Sequence, residues 1–445
     1  MDFFRLLKYS FFTFLFLLPL QTVFLLREPF VLGEKWQYGT IGVYVTDVLL
    51  VVMLGVALCT WLRSIKYKVS SIKYGRSEAV LVLFLLWAGL SVVWAGDQVL
   101  AFSFFMKSLL AAGVFFLARS FEEVSAKKVI LVLMAAGIIQ SGIGIGQFLF
   151  QQSVDSSILG TNAHEAWQAG SSVLKIDGGP ASPSLGGRFL RAYGTFPHPN
   201  MLGGFLAVTL VFGIAYQVLC TARLKKNERT LLLIGSVIVL LGLILTFSRV
   251  AWLGSGFGIG TLFVWSFFSG DTRKLRPLFS GMFSKTFLVL IVAGLVFVTV
   301  LHEQVFPRFD GATIKHEGSV SERVQSFQDA GMVIGEGNIL LGTGVGNFTA
   351  EVMRLEPERP VWSIQPAHNV FVLVFSELGL VGLLFFVLFL WSVLRNMKKQ
   401  SAIFIVALFS LLPILLLDHW LWTSHFGLLL LFLLIGLAIR RERQS

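Results

Sequence analysis

Long apolar runs alternate with short polar connections along almost the whole of this chain. Such runs are about 17 to 25 residues long, the length that a bilayer-spanning helix requires. About twelve of them occur, centred near residues 18, 52, 87, 110, 139, 210, 238, 259, 293, 382, 409 and 430. The pattern predicts an all-α polytopic membrane protein with about twelve transmembrane helices, a single integral membrane domain over residues 1–445. A mean hydropathy of +0.78 agrees with this class.

The basic residues follow the same alternation. A formal net charge of +11 is compatible with a nucleic-acid partner, but the lysines and arginines cluster on alternate connections, so the charge indicates topology and not nucleic acid. The clusters lie at residues 63–76, 119–128, 223–229, 273–285, 395–399 and 440–443. The positive-inside rule then predicts that both termini are cytoplasmic.

Two connections on the opposite, outer side are much longer than the others, at residues 151–197 and 303–367. Long loops on a rigid scaffold are where binding and catalytic residues concentrate. The first is rich in glycine, serine and proline. The second contains a capping box at residues 319–322, followed by apolar residues at helical spacing, and is predicted to be partly helical and to carry active-site residues.

The outer side is poor in lysine but carries several arginines. Their planar guanidinium groups suit phosphate oxygens, which predicts a phosphate-bearing substrate. The arginines concerned are Arg188, Arg191, Arg249, Arg308, Arg323, Arg354 and Arg359. Arg249 lies between two apolar runs, where an arginine costs roughly 2.5–3.5 kcal/mol unless it reaches a partner or the interface. The alternatives are that Arg249 snorkels to the surface and that Arg323, in the first turn of the predicted loop helix, is merely solvated.

His368 lies where the second long loop returns to an apolar run, with Asn369 next to it. An imidazole at that interface can titrate near neutral pH, so His368 is the foremost candidate for acid–base chemistry. His198 precedes Pro199 at the predicted start of a helix and is better suited to capping it, which leaves Arg191 as the stronger phosphate candidate there.

No motif in the chain predicts a metal or cofactor site. It lacks an Asp-x-Asp pair and a His-Glu-x-x-His motif, although the isolated acids Asp310 and Glu317 remain open as ligands. Five further ionisable residues lie within or beside the apolar runs, and structural pairing is the favoured interpretation of each. They are Asp47, Lys107, Glu377, Asp418 and His419.

Together, these motifs resemble the O-antigen ligase and polymerase superfamily. The resemblance extends over roughly residues 190 to 390, with Arg323 on the loop helix. Its motifs are RAYGTFPHPN at 191–200, TFSR at 246–249, ILLGTGVGNF at 339–348, HN at 368–369 and ELG at 377–379.

The resemblance implies a membrane glycosyltransferase (GT-C-like) fold and glycan transfer from a polyprenyl-diphosphate carrier to a lipid or glycan acceptor hydroxyl. The reaction would be inverting and metal-independent, at the outer face of the cytoplasmic membrane. By the resemblance His368 is the general base, while Arg249 and Arg323, with Arg191 as a further contact, hold the diphosphate. The predicted supporting residues are Asn369, His198 and Arg188.

Two alternatives remain open. A polymerase of the same superfamily needs the same diphosphate contacts and the same activated hydroxyl, so only the context of His368 favours a ligase. A flippase for the same lipid-linked glycan, or another twelve-helix transporter, is disfavoured because the chain shows no internal repeat and its long loops are placed asymmetrically.

Overall fold

The chain is predominantly helical. The computed structural model describes residues 3–66, 75–120, 124–175, 187–220, 224–268, 281–306, 318–398 and 401–440. In chain order the helices are α1 (Phe3–Leu17), α2 (Val45–Lys66), α3 (Arg76–Ser91), α4 (Gln98–Ser120), α5 (Ala126–Phe150), α6 (Pro199–Leu219), α7 (Lys226–Leu245), α8 (Arg249–Phe268), α9 (Gly281–Val300), α10 (His302–Val305), α11 (Gly318–Glu336), α12 (Phe348–Leu355), α13 (Val370–Asn396), α14 (Ala402–Phe409), α15 (Leu412–Leu417), α16 (Trp420–Thr423) and α17 (His425–Ala438).

Among the described residues, six helices are long and apolar enough to cross a membrane: α4, α5, α6, α7, α8 and α13. Shorter apolar helical stretches cover Val45–Thr60, Phe287–Val300, Ala402–Leu417 and His425–Ala438. The protein is therefore a polytopic membrane protein. The count of twelve crossings and the glycosyltransferase type of fold stay predictions.

The first predicted apolar run was wrongly placed. All the predicted centres except the one near residue 18 fall inside a helix, but α1 ends at Leu17 and an extended segment follows. Pro19 explains this end, because a proline disfavours helical backbone in the residue before it and cannot donate a helical hydrogen bond. The second half of that apolar run becomes a strand.

The all-α prediction also needs an addition, because four short antiparallel pairs lie between the helices: β1 with β4, β2 with β3, β5 with β6 and β7 with β8. The strands are β1 (Val23–Arg27), β2 (Phe30–Val31), β3 (Glu34–Lys35), β4 (Ile41–Tyr44), β5 (Gln152–Ser153), β6 (His164–Glu165), β7 (Val173–Lys175) and β8 (Arg188–Leu190). Six of these eight strands have only two or three residues, which is too short for hydrophobic periodicity to mark them. The second long loop is helical at α11 and α12.

Helix α6 is the centre of the bundle. Its apolar window is 94% buried, and it packs against α5, α7, α8 and α14. A helix that is apolar all round must be covered on every side by lipid or by other helices, and here other helices cover it. The N-terminal end of α6 is therefore fixed by packing on all sides. The residues at that end are held in place by the same packing.

Candidate active site

Four chain segments meet beside the start of α6. They are the 3₁₀ turn Gln37–Gly39, the His198 cap of α6, the residue pair before α13, and the break between α15 and α16. The His368 and His419 rings lie 5.0 Å apart edge to face, and Tyr38 lies 5.9 Å from His419. One ligand atom each from His368, Asp418 and His419 lies within 4.8 Å of the others. These residues are far apart in the sequence and are brought together by the helix ends.

Ser326 holds His368 through one nitrogen of the imidazole ring. Ser326 Oγ, on α11, lies 3.2 Å from His368 Nδ1 and accepts from the His368 backbone N–H at 3.4 Å. The same hydroxyl donates its proton to the Arg323 carbonyl at 2.9 Å. A hydroxyl has a single proton to donate, so Nδ1 must carry the hydrogen that it shares with Ser326. This tautomer, assigned from the hydrogen bonds, leaves His368 Nε2 with a free lone pair.

The electrostatics favour a neutral imidazole beside an ionised carboxylate. Burial, followed by the charges of His419 and Arg323, lowers the pKa of His368 to about 4, while Asp418 acts in the opposite direction. Burial opposes ionisation of Asp418, but His419, His368 and His198 outweigh it and lower the pKa of that carboxyl. At neutral pH His368 is therefore ready to accept a proton, and Asp418 is negatively charged.

Asp418 is itself fixed by the neighbouring segments. It is buried, its Oδ2 accepts from Asn200 Nδ2 at 2.9 Å, and its Oδ1 accepts from the His419 backbone N–H at 2.8 Å. Partial burial and the carboxylates of Asp418 and Glu322 raise the pKa of Tyr38, so its hydroxyl keeps its proton. The carboxylate is thus aimed at the two imidazoles by hydrogen bonds from α6 and from its own turn.

Arg323 supplies a positive charge on the same side. It lies on α11, one turn before Ser326, and is half-buried. Its charge lowers the pKa of both His368 and His419. No side-chain hydrogen-bond partner is found for it among the residues that the structure describes. It can therefore contact an anion that enters beside His368.

Arg191 is at the site but is engaged with protein acceptors. Its Nε donates to the Thr246 carbonyl at 2.7 Å, Nη1 to Ser172 Oγ at 2.9 Å and Nη2 to Asn200 Oδ1 at 2.9 Å. Since Asn200 in turn donates to Asp418, Arg191 links the α7–α8 turn to the Asp418 carboxylate. This geometry favours a positioning role over the predicted direct phosphate contact.

Arg249 is the first residue of α8 and is half-buried. The turn before it contains Phe247, which is fully buried at a positive φ of 47°. Non-glycine residues adopt this conformation rarely, and the surrounding packing must hold it there. The backbone that presents Arg249 is therefore rigid.

The remaining predicted residues have structural partners. Arg188 donates to the carbonyls of Ala166 and Gln168 in the first long loop. Asn369 caps α13 by accepting from Phe371 N and Val372 N, and His198 caps α6 by accepting from Asn200 N. Of the other outer arginines, Arg354 pairs with Glu351 and Arg359 pairs with Asp329. Arg308, Asp310 and Glu317 lie outside the described residues.

Sequence reasoning missed four residues of this site: Asp418, His419, Tyr38 and Ser326. Asp418 and His419 were assigned to structural pairing. They lie between two apolar runs, and His368 lies at the start of one. This position at the end of an apolar run was the signal in the sequence that could have identified them as site residues. Ser326 lies one helical turn after Arg323, and Tyr38 carried no signal, because only the fold brings residues 37–39 to His419.

The cluster of His368, Asp418 and His419 is also a possible metal-ligand set. In the described part of the chain it alone brings three such groups together. However, both Asp418 oxygens already accept hydrogen bonds, and Arg323 places a positive charge nearby. The donor set therefore fits a metal ion poorly. The predicted absence of a metal remains a prediction.

A membrane protein that places an imidazole, a carboxylate and an arginine at one end of its helices is suited to an anionic substrate held at the bilayer surface. Residues 234–387 match the family model described as O-antigen ligase, and this match supports the resemblance to the O-antigen ligase-related superfamily. The matched region contains Arg249, Arg323 and His368, whereas Asp418 and His419 lie beyond it. The chain gave no match among curated proteins.

Proposed function

We propose that this protein is an O-antigen ligase-type glycosyltransferase, which transfers a glycan from a polyprenyl-diphosphate carrier to an acceptor hydroxyl. The reaction takes place at the outer face of the cytoplasmic membrane. The observation that carries the proposal is the cluster in which His368, hydrogen-bonded to Ser326 through Nδ1, lies beside the Asp418 carboxylate, with the Arg323 charge close enough to affect its pKa. The family match supports the same reaction class.

In this mechanism His368 Nε2 takes the proton of the acceptor hydroxyl as its oxygen attacks the anomeric carbon. A new carbon–oxygen bond forms while the bond from the anomeric carbon to the diphosphate oxygen breaks, and a single displacement inverts the configuration. The proton ends on Nε2, and the resulting imidazolium is stabilised by Asp418. A positioned general base of this kind contributes about 10²- to 10⁴-fold in rate.

The leaving diphosphate gains negative charge as the bond breaks. Arg323 and Arg249 would stabilise that charge, the role in which a preformed cationic group lowers a reaction barrier most. The entering diphosphate would also raise the pKa of His368 from about 4, because an anion nearby favours the protonated imidazole. The base therefore becomes stronger when the donor is bound.

A polymerase remains the second candidate function, because the same site would activate a hydroxyl of another repeat unit. The two are separated by incubating the purified protein with a polyprenyl-diphosphate glycan and candidate acceptors. A single added glycan indicates a ligase, and a ladder of lengthening products indicates a polymerase.

Wild type is compared in this assay with His368→Ala and with the control His302→Ala. His302 is exposed at the start of α10, where its Nδ1 lies 3.0 Å from the Thr299 carbonyl. Product must be lost in His368→Ala and retained in His302→Ala. Equal transfer by His368→Ala, or no transfer by wild type with any acceptor, would favour a transporter instead.

A further inference from the structure

The segment between α1 and α2 exposes large apolar side chains outside any helix. Phe24 is 72% exposed, Leu26 62%, Phe30 64% and Leu32 76%. Full burial of one such side chain is worth roughly 1.5–3 kcal/mol, so leaving four of them in water forgoes several kcal/mol. The residues from 23 to 35, here named the apolar hairpin, therefore need a covering phase or partner.

The backbone conformation of Leu32 is a second reason to expect a covering phase or partner. It occupies the turn between β2 and β3 with a positive φ of 53°, followed by Gly33 at 82°. Two-residue turns with positive φ at both positions strongly prefer asparagine, aspartate or glycine. A leucine there costs about 1–3 kcal/mol in backbone strain while its side chain is exposed. A contact made by that side chain would offset the cost.

The surface continues directly into a membrane helix. Phe24 is paired with Val43 across the β1–β4 ladder, so both side chains lie on the same face. Val43 leads into α2, whose exposed residues Val45, Val48 and Val52 recur at helical spacing. An exposed apolar stripe on an apolar membrane helix faces lipid, and the sheet face extends it beyond the end of the helix.

The polar groups of the apolar hairpin are compatible with a position at the membrane surface. Arg27 is paired with Asp97 and Lys35 with Glu28, so the charges are largely neutralised within the protein. The strands satisfy much of their backbone by pairing, but a two-stranded ladder leaves open edges. Open edges are excluded from the hydrocarbon core, so the segment fits the boundary between headgroups and acyl chains.

We propose that the apolar hairpin is inserted in the bilayer leaflet on the side of the active site, with lipid as its occupant. The residues that follow it lead directly into the site, because Trp36 is buried beside Ile41 and Tyr38 contacts His419. Insertion thereby sets the height of the site above the membrane. This inference does not depend on the reaction catalysed.

The test is site-directed spin labelling of the full chain in phosphatidylcholine nanodiscs. The two cysteines of the chain are first removed by Cys59→Ser and Cys220→Ser. Single cysteines are then introduced, labelled, and examined for relaxation by oxygen, which concentrates in lipid, and by a water-soluble nickel chelate. Size-exclusion elution identifies the variants that fold.

Labels at Phe24→Cys, Phe30→Cys and Leu32→Cys should be relaxed more by oxygen than by nickel, as should the lipid-facing reference Val48→Cys. The exposed control Glu358→Cys should show the opposite order. Labels on the hairpin that behave like position 358 would overturn the proposal, as would labels shielded from both reagents, which would mean a protein contact. Three hairpin positions keep the test decisive if one variant misfolds.

Discussion

Two clusters of ionisable residues lie between the helices, and they differ in what is left unpaired. The cluster of Asp47, Lys107 and His425 is closed: His425 Nδ1 is 3.3 Å from Asp47 Oδ1 and its Nε2 is 2.7 Å from Thr46 Oγ1. His425 also stacks on Tyr44, and Lys107 Nζ lies 4.6 Å above the same ring. The imidazole Nε2 is hydrogen-bonded to Thr46, and its Nδ1 faces the Asp47 carboxylate.

The cluster of His368, Asp418 and Arg323 contains the same three kinds of group but is open. His368 uses Nδ1 for Ser326, and in the described part of the chain neither its Nε2 nor the Arg323 side chain has a hydrogen-bond partner. Similar groups therefore have different roles in the two clusters. Groups that contact each other stabilise the fold, whereas a group with an unused hydrogen-bonding atom can act on a substrate.

The largest expected effect is the difference in transfer rate between variants of His368 and of His425. His368→Ala should lower the rate of glycan transfer about 10²- to 10⁴-fold, the contribution of a general base, with little change in the unfolding temperature. His425→Ala should retain transfer but lower the unfolding temperature, because the buried Thr46 hydroxyl loses its hydrogen-bond partner, which costs roughly 1–3 kcal/mol. Transfer assays and scanning fluorimetry on both variants check this, and a reversed pattern would refute the comparison.

Arg323→Ala should lower transfer by about 10²- to 10³-fold, the usual loss on removing one preorganised contact to developing negative charge. The matched control is Arg354→Ala, which removes an exposed arginine paired with Glu351 at 2.7 Å. Such surface pairs are worth about 0–1 kcal/mol, so this control should be nearly silent. A comparable loss in both variants would mean that general positive charge, and not the position of Arg323, matters.

Asp418→Asn should have a smaller effect, about tenfold in rate. This estimate follows if its attraction for the imidazolium is worth roughly one pKa unit, about 1.4 kcal/mol. Asp47→Asn, in the closed cluster, should instead lower the unfolding temperature and leave the rate unchanged. Steady-state rates for both variants provide the measurement, and an unchanged rate for Asp418→Asn would remove its carboxylate from the mechanism.

The pH dependence is the smallest expected effect. The neutral form of His368 is active and its pKa is lowered to about 4, so kcat/KM should stay level as the pH falls and decline only near that value. Arg323 lowers this pKa, so Arg323→Ala should move the acid limb to higher pH. A limb that moves to lower pH, or does not move, would contradict the assigned electrostatics.

The sequence alone predicted the class of protein, and it singled out His368, the residue that we propose as the base. Apolar length reports bilayer crossing directly, and His368 stood out because a titratable residue follows a long polar loop. The sequence could not predict which residues form each of the two clusters. The contacts between His425 and Asp47 and between His368 and Ser326 depend on the packing of helix ends that are far apart in the sequence. Arg191 illustrates the same limit, since its residue type favoured phosphate but its neighbours occupy its nitrogens.

The Gly342–Gly346 turn is held by Glu377. Gly344 N donates to the Glu377 carbonyl and Gly346 N to the Glu377 carboxylate, both at 2.8 Å. Trp422 Nε1 donates to the same carboxylate at 2.9 Å. Glu377 thus has the structural role that was predicted for it, and it ties this turn to the segment that carries Asp418.

The most direct test of the account is a single-turnover experiment in which the protein is saturated with labelled polyprenyl-diphosphate glycan before an acceptor is added. Bound donor and transferred product are both measured in wild type and in His368→Ala. The account predicts that the variant binds donor as wild type does and forms product at least about 10²-fold more slowly. Product formed at the wild-type rate, or a loss explained entirely by weaker donor binding, would contradict the role of His368 as the base.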